Sequence, residues 1–128
     1  MRYTIALFGE AEKGQYRTAH VLNDLSQLID QFGNPPPDSQ GIFFAIQALL
    51  FQRELIFFRV EEEGFSELDY FSGLKTLETA FPRKIHALCL PGVGSVKILE
   101  ASSQLCIATK SLLITSQKDW YDYLTCSA

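Results

Sequence analysis

The sequence predicts an α/β protein built as a three-layer sandwich, in which helices cover both faces of a mostly parallel, roughly four-stranded sheet. Two observations predict this class. Short apolar runs alternate along the chain with longer segments whose apolar residues recur every three or four positions. The runs are almost wholly apolar, which is typical of strands buried on both faces of a parallel sheet. Such strands and helices are joined by right-handed crossovers.

The first predicted strand and helix are defined by clear stop signals. Residues 3–8 mix β-branched, aromatic and apolar residues and stop at Gly9, as a buried strand does. Asn23 or Asp24 is the predicted cap of a helix whose apolar residues recur at helical spacing until Gly33 ends it. The chain between these two elements is predicted to be a charged loop.

A second helix and strand follow directly. The prolines at residues 35–37 force an extended break, after which Ser39 is the predicted helix cap. Residues 42–50 supply a wide apolar stripe, made of Ile42, Phe43, Ile46, Leu49 and Leu50, which we expect to face the core. The near-continuous apolar run at residues 55–60 is the next predicted strand.

The second half of the chain repeats this alternation. A long helix over residues 66–81 is predicted to end at Pro82, because proline disfavours helical conformation in the residue before it. A strand over residues 85–90 leads into the turn at Pro91. The remaining predicted elements are a helix at residues 96–108, a strand at residues 112–115 and a short helix at residues 118–124.

Composition and charge exclude several classes of function. The chain has 128 residues, 47% of them apolar, and a net charge of -4 from eleven basic and fifteen acidic residues. We therefore expect one packed domain over residues 1–128. The scattered basic residues form no stripe that would neutralise phosphates, so no nucleic-acid partner is expected.

Cysteine usage and the first residues indicate a reducing compartment. Cys89, Cys106 and Cys126 are an odd number without a C-x-x-C pair, so neither a disulfide framework nor a thiolate zinc site is expected. The apolar run at residues 3–8 is too short for a signal peptide or a membrane span. We predict a cytoplasmic location, no membrane contact and two buried thiols.

The strongest candidate for a ligand site is the turn from Pro91 to Lys97. In open α/β sheets ligands bind outside the carboxyl ends of the strands, and this turn joins a strand end to a helix start. The residues that would hold an anion there are Gly92, Gly94, Ser95 and Lys97. The spacing is not that of a P-loop, and an ordinary strand-to-helix turn is the competing interpretation. With an anion bound, the chain would be a small flavodoxin-like or Rossmann-like domain that binds a phosphate-containing ligand.

Other candidate groups favour structural roles. The loop from Gly9 to Gly14 carries two carboxylates where a phosphate loop needs bare amides. Residues 61–63 are three successive glutamates, which are more typical of a solvated loop than of a cation site. His86 lies inside a predicted strand and His20 in a predicted loop, so neither is placed for catalysis. We expect no enzymatic activity, no catalytic residue, no cofactor and no metal.

Short motifs follow one another in order from residue 4 to about residue 116. They are the Gly9-to-Gly14 loop followed by Gln15, Phe32-Gly33, Arg59-Val60, the Gly73-to-Glu78 segment and Leu90-Pro91-Gly92. This series resembles the α/β domain of contractile tail sheath proteins, the subunits that stack around phage tails and related injection machines. That family has proline where this chain has Gln15. The long terminal arms with which sheath subunits add strands to their neighbours are not expected here.

The resemblance implies a non-enzymatic structural protein. Its partners would be copies of itself or related structural subunits, and its location the cytoplasm, or a virion or tail-like particle after assembly. Aromatic residues are enriched at interface centres, which makes Trp120, Tyr121 and Tyr123 the candidate docking element. The alternatives are that this terminal helix folds onto its own core and that open edge strands serve for docking.

Overall fold

The computed structural model describes residues 3–79 and 84–126 and has the predicted three-layer α/β architecture. In these residues five strands form one sheet: β1 (Thr4–Gly9), β2 (His20–Leu22), β3 (Glu54–Arg59), β4 (Ala87–Cys89) and β5 (Leu112–Ile114). The same residues form five helices: α1 (Leu25–Phe32), α2 (Gly41–Leu50), α3 (Glu67–Thr79), α4 (Val96–Thr109) and α5 (Gln117–Cys126). None of these helices has the length and apolar character needed to cross a membrane.

The strands lie in the order β2-β3-β1-β4-β5. Strands β3, β1, β4 and β5 are parallel, with Ile5 of β1 opposite Leu55 on one side and Ala87 on the other. Strand β2 pairs with β3 in the antiparallel direction. The sheet is therefore mostly parallel, and each of its edges is a strand of three residues.

Strand β2 corrects two predictions. The expected sheet had roughly four strands and the expected position of His20 was a loop, whereas His20 begins β2 opposite Phe57 of β3. Three residues are too few for a period-two pattern to emerge from the sequence. The strand exists because its backbone pairs with β3, which lies more than thirty residues further along the chain.

Two apolar clusters hold the layers together. Successive residues of a strand point to opposite faces of the sheet. Ile5 and Leu7 accordingly pack in the cluster beneath α1, α2 and α5, whereas Ala6 and Phe8 pack in the cluster beneath α3 and α4. All six residues of β1 are buried, so this strand is the centre of the fold.

Of the predicted caps of α1 and α2, one is confirmed and one is wrong. Asp24 caps α1 as predicted, since its carboxylate accepts a hydrogen bond from the Gln27 amide at 3.0 Å. Ser39 does not cap α2. Its hydroxyl donates instead to the Pro36 carbonyl at 2.6 Å, and α2 begins two residues later at Gly41. The predicted end of α3 at residue 81 lies outside the described residues.

The start of α2 lies against the end of β1. A Cβ atom built on either Gly9 or Gly41 would lie 2.6 Å from the Cα atom of the other, which is too close for any side chain at these two positions. Glycine at both positions therefore lets the helix begin directly on the carboxyl end of the central strand.

Candidate functional site

The carboxyl ends of β1, β3 and β4 form the crevice where α/β sheets usually bind ligands. The chain leaves β1 toward β3 through α1 and α2 on one face, and passes from β3 to β4 through α3 on the other. The connections thus diverge between β1 and β4, which is the topological switch point. A small cavity of about 190 Å³ opens there, and its lining consists of Asp38, Gln40, Glu63, Phe65, Pro91 and Gly92.

Glu63 is the central ionisable group of this crevice. Its carboxylate accepts hydrogen bonds from the Gln40 amide at 3.2 Å and 3.0 Å, at the start of α2. Its own amide donates to the Glu10 carboxylate at 2.8 Å. Burial raises the pKa of Glu63 to about 7, against the opposing effect of the hydrogen bonds from the Gln40 and Gly41 amides. Glu63 thus occupies the helix start for which Ser39 was predicted.

The crevice offers little for catalysis. The Tyr70 hydroxyl accepts a hydrogen bond from the Gly64 amide at 2.7 Å, and burial raises the pKa of this tyrosine, which therefore stays protonated at neutral pH. Among the residues that line the cavity, Glu63 is accompanied by a second acid, an amide and apolar groups. Nothing in that lining would act as a nucleophile activated by a neighbouring base.

The glycine-bounded loop after β1 uses its amides within the fold. The amides of Glu12 and Lys13 donate to the Phe32 carbonyl at 3.0 Å and 3.2 Å, at the end of α1. The Glu12 carboxylate accepts from the Asn34 amide at 3.1 Å. This loop therefore closes the carboxyl end of a helix, and these amides are engaged where a phosphate cradle would need them free.

The turn from Pro91 to Lys97 also has an internal partner. Ser95 caps α4 as the predicted strand-to-helix turn requires, with the Ile98 amide donating to its hydroxyl at 3.4 Å. That hydroxyl donates to the Glu67 carboxylate at 2.9 Å, while Gly92, Gly94 and Lys97 are exposed. A carboxylate of α3 therefore occupies the hydroxyl that an anion would need, and this geometry gives the anion-binding hypothesis no support.

The predicted aromatic docking element divides between core and surface. Trp120 is only 1% exposed, stacks on Phe44 with ring centroids 5.3 Å apart, and donates its indole N–H to the Gln47 side chain at 2.9 Å. The expectation that Trp120 docks a partner is therefore corrected, because α5 folds onto its own core. Tyr123 is half-buried and Tyr121 is exposed, so a docking role for Tyr121 stays a prediction.

The outward face of α2 is the feature that sequence reasoning missed. All of its apolar stripe was expected to face the core, but Phe43 is 54% exposed and Leu50 is 62% exposed. Ile46 is half-buried between them and Phe51, just after the helix, is 43% exposed. We call these four residues the α2 ridge. A helix with apolar residues on every side is usually buried on every side. The almost wholly apolar sequence of α2 was therefore the available indication that its outward face could bind a partner.

The α2 ridge carries no charge. Gln47 is the one polar side chain in the ten residues of α2, and its side-chain oxygen is held by the Trp120 indole. The ridge therefore presents aromatic and aliphatic surface to solvent without a charged group on the same helix. Such exposed apolar surface marks interaction sites on folded proteins.

An ion pair between the exposed Arg17 and the buried Asp69 is a second feature that sequence reasoning missed. The Asp69 carboxylate, almost fully buried, accepts from the Arg17 guanidinium at 2.7 Å and from the Glu61 amide at 2.8 Å. Burial alone would raise the pKa of Asp69, but the hydrogen bonds from the amide and from Arg17 outweigh it and lower the pKa. The pair ties the loop after β1 to α3.

Possible metal ligands and thiols are the remaining groups to place. Within residues 3–79 and 84–126, no group of three His, Cys, Asp or Glu side chains is arranged to hold a metal ion. Cys89 and Cys106 are buried free thiols, as predicted, and burial raises the pKa of both. His86 lies just before β4, where its Nδ1 accepts from the Thr4 amide at 3.0 Å.

Comparison with known proteins does not assign this chain to a family. Neither the protein-family models nor the curated proteins give a match. The site therefore has to be interpreted from its own geometry.

Proposed function

We propose that this chain is a non-enzymatic assembly module that docks through the α2 ridge onto copies of itself or related structural subunits. The observation that carries the proposal is the exposure of Phe43 and Leu50 on a helix with no charged residue. The carboxyl-end crevice adds support, because the Gln40 and Glu63 amides there are engaged by the Glu63 and Glu10 carboxylates.

The exposed area indicates how strong such docking would be. Phe43, Leu50 and Phe51 together expose about 300 Å² of side-chain surface, taking roughly 200 Å² for each side chain in full. Covering this area would contribute roughly 7 kcal/mol at ~25 cal/mol per Å². Losing translational and rotational freedom on association costs about 4–15 kcal/mol. The ridge alone therefore supports weak association, and the partner surface decides the affinity.

The ordered motifs that resemble contractile tail sheath proteins agree with this proposal. The resemblance implies structural subunits as partners and a location in the cytoplasm or, after assembly, in a virion or tail-like particle. A module of this kind needs docking surfaces rather than a catalytic centre. The α2 ridge provides one such surface on the layer formed by α1, α2 and α5.

The experiment measures self-association over a wide concentration range. Sedimentation velocity and light scattering of the wild-type chain, from about 1 μM to about 1 mM, should show mass increasing with concentration. Leu50→Gln should weaken this association because it places an amide on the ridge. Leu112→Gln is the matched control, since Leu112 is a similarly exposed leucine on the edge strand β5, outside α2.

Two outcomes would contradict the proposal. The first is a wild-type chain that stays monomeric at the highest concentration and binds no related structural subunit. This result would rule out assembly. Equal loss of association in Leu50→Gln and Leu112→Gln would show that the loss is not specific to the α2 ridge, which contradicts docking through it. Electron microscopy of the heaviest fraction would show whether the assemblies are rings or tubes, as the sheath resemblance implies.

A further inference from the structure

We propose that the α2 ridge of one copy docks into the groove between α3 and α4 of the next copy, so that the chain assembles head to tail. This inference rests on the proposed assembly function and names its second surface. It commits to a second copy of this chain as the occupant of the groove.

The groove lies on the opposite side of the sheet from the ridge. It has a volume of about 590 Å³, with the buried side chains of Leu74 and Leu105 at its floor. Ala101 and Ala108 line it from α4, and their small side chains leave room between the helices. Lys75 and Glu78 of α3 are exposed at its rim. The floor is therefore apolar and the charged rim has no net charge.

The spacing of the ridge residues is that of a helix face that packs into a groove between helices. Phe43, Ile46 and Leu50 are separated by three and four residues, so they form one row along α2. Helices pack by placing such rows in the grooves of their neighbours. Docking an apolar helix face in a groove with apolar anchors at this spacing is a recurring mode of protein recognition. The groove volume lies within the range of pockets that accept several side chains or a small ligand.

Charge favours these two surfaces over the rest of the molecule. The chain has a net charge of -4, so two copies repel each other when most of their surfaces approach. The ridge has no charge, and the groove rim pairs one lysine with one glutamate. Contact between these surfaces therefore brings no like charges together at the interface. It also places the ridge on the two leucines at the floor.

The size of the contact predicts reversible assembly. The exposed ridge, about 300 Å², is smaller than the ~800 Å² that each partner buries in a standard interface. A single contact should accordingly be weak, with dissociation constants from roughly 10 μM upward. The assembly gains its extent from repetition of this contact.

The ridge and the groove lie on opposite faces of the sheet, and this determines the symmetry of the assembly. The ridge belongs to the layer of α1, α2 and α5, whereas the groove belongs to the layer of α3 and α4. A chain therefore cannot fill its own groove, and each added copy leaves one ridge and one groove free. Such heterologous contacts form rings when the rotation closes and filaments when it does not.

A mixing experiment tests this arrangement. Leu50→Asp places a charge on the ridge and keeps the groove, whereas Ala108→Trp fills the groove and keeps the ridge. Both positions are exposed, so both variants should fold. Each variant alone should associate at least about tenfold more weakly than the wild-type chain, because a buried unpaired charge and a filled groove both oppose docking. Their equimolar mixture should form a heterodimer that grows no further.

The controls separate folding from docking. Ile107→Asp changes an exposed residue of α4 outside the groove and should leave assembly unchanged. Circular dichroism melts should show that every variant remains folded. If Ala108→Trp is unfolded, Gln104→Trp fills the same groove from another exposed position.

The outcomes distinguish this inference from the assembly function. If Ala108→Trp still dimerises alone while Leu50→Asp does not, two ridges pair with each other, and the head-to-tail inference is wrong although assembly through α2 stands. A wild-type species that stops at the dimer would overturn the inference in the same way. A wild-type chain that is monomeric throughout would contradict this inference, and it would contradict the assembly function as well only if the chain also binds no related structural subunit.

Discussion

Replacing Glu63 with glutamine should remove a pH dependence of stability that the wild-type chain shows between about pH 5 and pH 8. Glutamine keeps a side-chain oxygen that can accept from the Gln40 amide, and it removes the titrating carboxyl. The change therefore isolates the effect of ionising this group in the carboxyl-end crevice.

The direction follows from the raised pKa of Glu63. In the folded chain its pKa is about 7, above the ordinary value of 4.5 that applies to the unfolded chain. Between these values the folded state binds more protons than the unfolded state. The contribution of Glu63 to the free energy of unfolding is therefore largest below pH 4.5 and falls as the pH rises toward about 7.

The magnitude follows from the same shift. Each pKa unit corresponds to about 1.4 kcal/mol, which gives an upper limit of roughly 3 kcal/mol for Glu63. The side chain is partly exposed, and screening by solvent reduces this to about 1–2 kcal/mol. At about pH 8 the Glu63→Gln chain should therefore be more stable than the wild type by this amount, and the difference should shrink toward about pH 5.

The assay is urea denaturation of both chains at a series of pH values, with the variant-minus-wild-type difference plotted against pH. Contributions from titrating groups that do not interact with Glu63 cancel in this difference. Glu62→Gln is the control variant, because Glu62 is an exposed glutamate of the same loop. A flat difference for Glu63→Gln would refute the reasoning, since it would mean that burial does not oppose ionisation of Glu63.

Three further substitutions, two of them with a control variant, test the packing and the ion pair between Arg17 and Asp69. Gly73→Ala should destabilise the fold by about 1–3 kcal/mol, because the added Cβ would lie 2.3 Å from a buried phenylalanine ring, whereas Gly94→Ala meets open space and should be nearly neutral. Trp120→Ala should cost about 3–5 kcal/mol in thermal or urea unfolding, and Tyr121→Ala less than about 1 kcal/mol. Asp69→Asn should lower the free energy of unfolding by about 1–3 kcal/mol at neutral pH. Because the pKa of Asp69 is lowered in the folded chain, this loss should disappear as the pH falls through the folded-state pKa.

Each of these expectations has a contradicting result. A Gly73→Ala chain as stable as the wild type would mean that α3 can move off the sheet at no cost. Trp120→Ala with unchanged stability but weaker association would restore the tryptophan as a docking residue. A cost of Asp69→Asn that persists unchanged at low pH would show that the carboxylate's charge does not contribute to stability.

The fold was predictable from the sequence where local signals were strong. Asp24 and Gly33 mark the two ends of α1 as predicted, and Ser95 caps α4. These ends were predictable because capping depends on residues close in the chain. The apolar runs that became β1 and β3 are central strands, and their composition alone indicates burial on both faces.

The remaining features depend on contacts between distant residues. Ser39 was a reasonable cap by local rules, but Glu63, more than twenty residues later, supplies the carboxylate at the start of α2. The outward direction of Phe43 and Leu50 was hidden because α2 is apolar on all sides, so periodicity could not separate the core face from the exposed one. Trp120 and Leu124 are both buried. Their separation of four residues places them on one face of α5, and this spacing was the sequence signal for core packing.

The two short edges of the sheet affect how copies of this chain can meet. Strands β2 and β5 each have three residues, so each edge offers very few unpaired backbone groups to a passing strand. Long open edges recruit further strands and lead to fibrous aggregates, and natural proteins avoid this with short edge strands. Crowded copies of this chain would accordingly meet through side chains on helices. Contacts of that kind separate on dilution, so the chain should tolerate high concentration without forming amyloid.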